Sequence, residues 1–198
     1  MGFLLRQHRR FFLTFTGWAL ALRLLFVLRF SLITDDGFIY GDIAKNWLTR
    51  GVFGIGPNAM PTLVRLPGYP AILAAIWSVF GLENYNAVLA AQVVADIATC
   101  FLIADLARRC VSDRAAMAAF ALAALCPFTA NYTAAPLTES FAIFFAALAL
   151  DLAVTGLARI RDDRPYRLVW AYCGLAITCG VLLRADGGTF TSSCSSFL

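Results

Sequence analysis

The chain has 198 residues, of which 61% are hydrophobic and only 14% are charged, and its mean hydropathy is +0.75. Soluble domains are typically nearer half apolar and a quarter charged. The composition therefore excludes an ordinary soluble domain and predicts a protein that lies in a membrane. The formal net charge is +4, so the positions of the basic residues decide whether a nucleic-acid partner is plausible.

The basic residues mark the ends of apolar runs. Most of the 16 Lys and Arg residues fall into three clusters that flank these runs. By the positive-inside rule, such clusters mark cytoplasmic ends of spans. We therefore expect a cytoplasmic N-terminus and no nucleic-acid partner. The clusters are Arg6, Arg9 and Arg10; Arg108, Arg109 and Arg114; and Arg159, Arg161, Arg164 and Arg167.

Apolar segments approach the roughly 20 residues that cross a hydrocarbon core of about 30 Å. The sequence therefore predicts an all-α polytopic transmembrane helix bundle of about five spans. The stretch 67–81 is shorter and contains flanking prolines, so we expect a juxtamembrane or re-entrant segment on the outer side. The predicted spans are 12–33, 86–107, 115–131, 137–158 and 168–184.

The long first outer loop, about 34–85, is the least membrane-like part of the chain. Paired apolar and polar residues within 39–50 predict an amphipathic juxtamembrane helix that lies in the interface. Glycines then end this helix, and an extended, turn-rich connection follows. Its predicted apolar face consists of Ile39, Tyr40, Ile43, Ala44, Trp47 and Leu48, and its polar face of Gly41, Asp42, Lys45, Asn46, Thr49 and Arg50.

The predicted topology gathers five carboxylates at the outer face: Asp35, Asp36, Asp42, Glu139 and Asp186. Asp35 and Asp36 follow the first span, and Glu139 begins the fourth. Asp35 or Asp36 could simply cap the next helix. Asp35 is the better candidate for this cap because it is nearer the span. Glu139 could serve only the helix dipole, with Pro136 in the first turn. The alternative is a catalytic base with a second carboxylate nearby.

Two ionisable residues lie at mid-depth in predicted spans, Arg23 in the first and Asp96 in the second. Burying either alone is costly, so we expect them to pair as a structural tie; a substrate role is the alternative.

An anionic head group on the outer side would need charge-assisted donors. Arg65, before the stiff sequence LPGYP, is the favoured one. The available outer cations are Arg29, Lys45, Arg50, Arg65 and Arg184.

Several short motifs occur together: an acidic pair after the first span, then DGFIYGDIAKNWLTRGVFG, RLPGYP, ADLARR and PLTES. Their combination resembles the membrane-embedded GT-C glycosyltransferases, particularly bacterial relatives of the dolichyl-phosphate-mannose protein mannosyltransferases and of the aminoarabinose transferases. Members of that group often show an acid, Tyr and a second acid at this spacing, and a basic, Pro-rich stretch. The matching residues are Asp36, Tyr40, Gly41, Asp42, Ile43 and Ala44, and Arg65, Pro67, Gly68, Tyr69 and Pro70.

The resemblance implies transfer of a sugar from a polyprenyl-phosphate donor to a lipid, glycan or protein acceptor, with inversion, at the outer face of a bacterial inner membrane. Asp36 would be the base and Glu139 a second active-site carboxylate. Some relatives bind a divalent cation such as Mg²⁺ or Mn²⁺. The single histidine, His8, lies on the cytoplasmic side, so such an ion would need oxygen ligands. Expected substrate contacts are Asp42, Tyr40, Arg65, Tyr69 and Arg29.

Two expectations concern the extent of the chain. Residues 1–187 match the N-terminal part of a GT-C transmembrane domain, and the abruptly polar 188–198 is expected to be a truncation or artefact. Such a fragment is expected to be inactive alone. The competing class is a non-enzymatic polytopic membrane protein, such as a transporter fragment or scaffold.

Overall fold

The architecture is a bundle of α-helices, seen in a computed structural model that describes residues 2–184. Two short antiparallel strands, β1 (Gly54–Ile55) and β2 (Met60–Pro61), are the only sheet in that part of the chain. The predicted all-α bundle is confirmed. Its helices are α1 (Gly2–Gln7), α2 (Arg9–Phe30), α3 (Asp35–Arg50), α4 (Gly68–Phe80), α5 (Tyr85–Cys110), α6 (Asp113–Ala124), α7 (Pro127–Tyr132), α8 (Glu139–Arg161) and α9 (Arg167–Leu183).

Three of the described helices, α2, α5 and α8, are long and apolar enough to cross a membrane. They correspond to the predicted spans 12–33, 86–107 and 137–158. Helix α9, with 17 residues, coincides with the predicted span 168–184 but is shorter than these three. Helix α4 has 13 residues, which corresponds to roughly 20 Å and is too short to span.

The stretch 115–131, predicted as one span, is broken. Helix α6 ends at Ala124, Cys126 is extended, and α7 begins at Pro127. Proline has no amide hydrogen to donate, and its ring disfavours helical backbone in the preceding residue. Backbone carbonyls at the end of α6 therefore lose their helical donors and need other partners.

Arg23 supplies those partners from inside the bundle. Its side chain is fully buried, and its guanidinium donates to the carboxylate of Asp96 at 2.7 Å, the pairing expected from their depth. It also donates to the carbonyls of Ala124 and Ala123, the latter at 3.0 Å, and to the Thr129 hydroxyl at 3.2 Å. One side chain thus joins α2, α5 and both halves of the broken helix.

Helix α3 begins one residue earlier than the sequence suggests. Thr34 is the N-cap, and its hydroxyl accepts a hydrogen bond from the Gly37 amide at 3.3 Å. Asp35 and Asp36 therefore lie in the first turn, where they complement the helix dipole without capping it. The expectation that Asp35 caps the helix is wrong, and neither aspartate is needed as a cap.

The buried face of α3 is rotated from the predicted one. Ile43 and Ala44 are buried, but Trp47 and Leu48 are 39% and 40% exposed. Asn46 is buried because its amide donates to the carbonyls of Gly54 and Gly56 at 3.0 and 3.1 Å. Hydrogen bonds to the β1 loop, which periodicity does not reveal, set this rotation.

Helices α3 and α4 cover one end of the bundle. Tyr69, Leu73 and Trp77 of α4 form a buried cluster with Ala44 and Leu183, among others. Gly68 lies so close to the α9 backbone that a Cβ there would approach the Leu182 carbonyl carbon to 2.6 Å. We call this end, which also carries Asp36, Glu139 and Arg184, the site end. The opposite end, with Arg109 and Arg161, is the basic end.

Candidate active site

Two arginine–carboxylate pairs lie at the site end. The Arg65 guanidinium, from the loop before α4, pairs with Asp36 in the first turn of α3. The Arg184 guanidinium, directly after α9, lies 3.1 Å from the Glu139 carboxylate at the start of α8. All four side chains are partly exposed, so the pairs can meet a ligand.

Tyr40 lies among these charges. The Arg65 guanidinium stacks over its ring at 5.7 Å from the centroid. Burial raises the pKa of the Tyr40 hydroxyl; Arg65 and Arg184 act against this, whereas Asp36 and Glu139 add to it. The hydroxyl therefore stays protonated at neutral pH. Both ion pairs therefore lie within electrostatic reach of one phenol, and a single site shared by the two predicted catalytic carboxylates stays a prediction.

Tyr69 lies beneath Tyr40 and is fully buried. The two rings meet edge to face at 4.9 Å. The Tyr69 hydroxyl donates to the side chain of Gln92 in α5 at 2.8 Å. Gln92 is not among the predicted site residues, although an amide inside an apolar span was an available signal. In this arrangement Tyr69 supports the ring of Tyr40 from below. Its role as a substrate contact stays a prediction.

Two other predicted substrate-binding residues lie apart from the pairs. Asp42 is exposed and accepts a hydrogen bond from the Gly56 amide at 3.1 Å, which fixes the loop after α3. Arg29 is exposed in the last turn of α2, and it forms no ion pair with the described residues. Substrate roles for both stay predictions.

An apolar groove of about 510 Å³ runs between α8 and α9. Apolar residues between Ala142 and Ala153 on α8, Phe145 among them, face residues between Cys173 and Val181 on α9. Tyr132, Glu139 and Arg184 line the polar mouth of this α8–α9 groove. The groove therefore begins at one of the two ion pairs, and Arg184, considered earlier only as an available cation, belongs to the site.

The carboxylates of the site do not form a metal cage. Asp36 and Glu139 each pair with an arginine. Within residues 2–184, no group of three or more His, Cys, Asp or Glu side chains is arranged to hold an ion. The described donor set does not fit Mg²⁺ or Mn²⁺. Asp186 and the predicted tail 188–198 lie outside the described residues.

The fold and the site define a polytopic membrane protein with charged side chains at one end of a helix bundle. A family model described as dolichyl-phosphate-mannose-protein mannosyltransferase matches residues 61–196, more than half of the chain. The chain belongs to this family and is a membrane glycosyltransferase of the GT-C kind. The matched range contains Arg65, Tyr69 and Glu139, whereas Asp36 precedes it.

No curated protein and no solved structure matches the chain. The family match confirms the resemblance drawn from the motifs and favours an enzyme over a transporter or scaffold.

Proposed function

We propose that the site end transfers a sugar from a polyprenyl-phosphate donor to an acceptor hydroxyl with inversion. Asp36 takes the acceptor's proton while the acceptor oxygen bonds to the anomeric carbon. The bond from that carbon to the phosphate oxygen breaks, and polyprenyl phosphate leaves. A base at one end and cations at the other stabilise such a displacement.

The observation that carries this proposal is an unused donor on Arg65. Its Nε atom is buried and has no hydrogen-bond partner among the described residues. Leaving a buried donor unpaired costs free energy, so an oxygen ligand would bind there favourably. A phosphate supplies such oxygens and matches the guanidinium in charge.

Phosphate binding would also change the state of Asp36. In this structure Arg65 pairs with the Asp36 carboxylate. A donor phosphate competes for the same guanidinium, and Asp36 is then available to accept the proton of the acceptor. Binding of the donor and release of the Asp36 carboxylate from Arg65 therefore occur together. Glu139 holds Arg184 close to the same phosphate and serves as the second carboxylate.

The α8–α9 groove supports a donor with a long apolar chain. It extends inward along a membrane-spanning helix from the Glu139–Arg184 pair. From Glu139 to Ala153 the helix rises by roughly 20 Å, enough for several isoprene units. We place the chain of the donor there, with its phosphate at the mouth.

The proposed orientation has the site end outside the cytoplasm of a bacterial cell. The basic clusters lie at the other end, where Arg109 of α5 donates to Thr155 of α8 at 2.7 Å. Positive clusters favour the cytoplasmic side. The N-terminus would then be cytoplasmic, and the acceptor would be a lipid, glycan or protein at the outer surface of the inner membrane.

Asp36→Asn tests the proposed base. We expect turnover to fall at least about 100-fold, because an amide cannot accept the proton. The assay uses membranes of the native host, which contain the protein as the cell produces it. It measures transfer from a radiolabelled polyprenyl-phosphate mannose. Asp35→Asn is the matched control, since Asp35 lies in the same helical turn outside the ion pairs. Equal turnover for Asp36→Asn and the unmodified protein would reject the base.

A further inference from the structure

We propose that Gln92 is a positioning residue that sets the two carboxylates of the site relative to each other. This rests on the proposed function, because it assigns a role within the same reaction. Asp36 and Glu139 begin different helices, α3 and α8. A transfer that uses both needs a fixed distance between them, and one side chain contacts the supports of both.

Gln92 is fully buried in α5, a membrane-spanning helix. Its amide oxygen accepts from the Tyr69 hydroxyl at 2.8 Å. Its amide nitrogen donates to the carbonyls of Tyr132 and Ala135 at 3.1 and 2.8 Å. Both amide hydrogens are thus used, and the orientation of the amide is determined by its partners on two sides.

One side of this connection leads to Asp36. Tyr69 meets Tyr40 edge to face, with ring centroids 4.9 Å apart. Tyr40 carries the guanidinium of Arg65 over its ring, and Arg65 pairs with Asp36. The Tyr69–Gln92 hydrogen bond therefore fixes the aromatic base on which the first ion pair rests.

The other side leads to Glu139. Tyr132 ends α7, and the segment from there to α8 is irregular. Its backbone carbonyls lack the regular donors of a helix, although the Ala135 carbonyl also accepts from the Leu137 amide at 2.8 Å, and buried carbonyls need partners. Gln92 supplies two of these donors, and the Leu32 amide donates to Ala134 at 3.2 Å. The position of this segment determines where α8, and with it Glu139, begins.

Packing alone does not explain a glutamine here. A leucine or methionine would fill a similar volume without the cost of burying an amide. The amide is satisfied only because it links a phenol to the segment before Glu139. A polar contact shared by the two halves of a site is suited to positioning, and a displacement of about 1 Å can cost roughly 100-fold in rate.

The test compares Gln92→Met with Val88→Ala in donor kinetics. Methionine preserves volume and removes all three hydrogen bonds. Val88 is fully buried one turn earlier in α5, in the same buried cluster as Tyr69, and its truncation destabilises this region while leaving the three hydrogen bonds of Gln92 in place. For Gln92→Met we expect kcat to fall about 10- to 100-fold, with the donor KM unchanged within about twofold. For Val88→Ala, we expect kcat within about twofold at a temperature where both variants are folded.

Tyr69→Phe removes the link from its other side and keeps the proposal testable if Gln92→Met does not fold. It should lower kcat in the same direction, and in the double variant the two losses should not add. The proposal is overturned if Val88→Ala and Gln92→Met lose kcat in proportion to melting temperature, or if neither Gln92→Met nor Tyr69→Phe changes kcat. If these outcomes occur while Asp36→Asn abolishes transfer, the inference alone fails. Retained transfer in Asp36→Asn would instead reject the proposed base.

Discussion

Among single residues, Arg65 makes three contacts at the site end. It pairs with Asp36, stacks on Tyr40 and donates to the Val64 carbonyl at 3.3 Å. Its remaining Nε donor has no partner in the described part of the chain. Three contacts orient the guanidinium in advance, so binding an anion requires little further ordering. The residues on either side, Val64 and Leu66, are exposed and apolar, as suits a loop at a membrane surface.

Arg65→Ala tests this residue as the phosphate ligand. A hydrogen bond to a charged group contributes about 1.5–3 kcal/mol, so the donor KM should rise roughly 10- to 100-fold. The KM is measured with purified polyprenyl-phosphate mannose in native membranes. Arg50→Ala is the control, because Arg50 is an exposed cation in the last turn of α3 that donates to the Pro57 carbonyl at 2.5 Å. Equal KM values for the two variants would contradict the assignment.

Among the helices, the break between α6 and α7 connects the interior of the bundle to the site end. Pro127 ends the hydrogen bonding of α6, and Arg23 then binds the carbonyls of Ala123 and Ala124. The buried charge of Arg23 is balanced by Asp96. The ion pair therefore does more than neutralise two charges, because the same guanidinium completes the end of a helix.

A double-mutant cycle on this pair separates the two roles. Arg23→Met alone should lower the free energy of unfolding by about 3–5 kcal/mol, because Asp96 is left buried and unpaired. Adding Asp96→Leu should recover part of that loss. Recovery should remain incomplete, since the Ala124 carbonyl still lacks its guanidinium donor, whereas the Ala123 carbonyl keeps the Cys126 amide at 3.3 Å. Unfolding by SDS in mixed micelles measures each variant, and full recovery in the double variant would show that Arg23 serves only charge balance.

The α8–α9 groove makes a prediction about donor length. Ala146 lines the groove below its mouth, so Ala146→Phe should block the path of the chain. We expect the donor KM to rise about tenfold for a long polyprenyl phosphate-mannose and to stay within about twofold for a donor of two isoprene units. Leu175→Phe is the control, because Leu175 is 59% exposed on α9 and does not line the groove. An equal effect on both donors would exclude the groove as the chain site.

At the scale of the whole molecule, composition and apolar length were sufficient to predict the helix bundle, and charge bias predicted which carboxylates share one end. Pro127 itself is visible in the sequence. The hydrogen bonds by which Arg23 completes the end of α6 depend on a contact between distant segments. The burial of Asn46 and the role of Gln92 likewise come from tertiary hydrogen bonds, to which periodicity is blind. Asp36, Arg65, Glu139 and Arg184 could all be named from the sequence, whereas their pairing required the fold.

The orientation of the whole bundle gives the last prediction. Cys110 is exposed at the basic end, and Asn58 is exposed in the turn between β1 and β2 at the site end. We compare two proteins in which all other cysteines are replaced by alanine: one keeps Cys110, and the other carries Asn58→Cys with Cys110 replaced as well. In right-side-out spheroplasts, a membrane-impermeant maleimide should label Asn58→Cys at once and Cys110 only after permeabilisation. The opposite pattern would place Asp36 and Glu139 in the cytoplasm, where an outer-face acceptor could not reach them. Labelling therefore decides on which side of the membrane the donor's sugar must be presented.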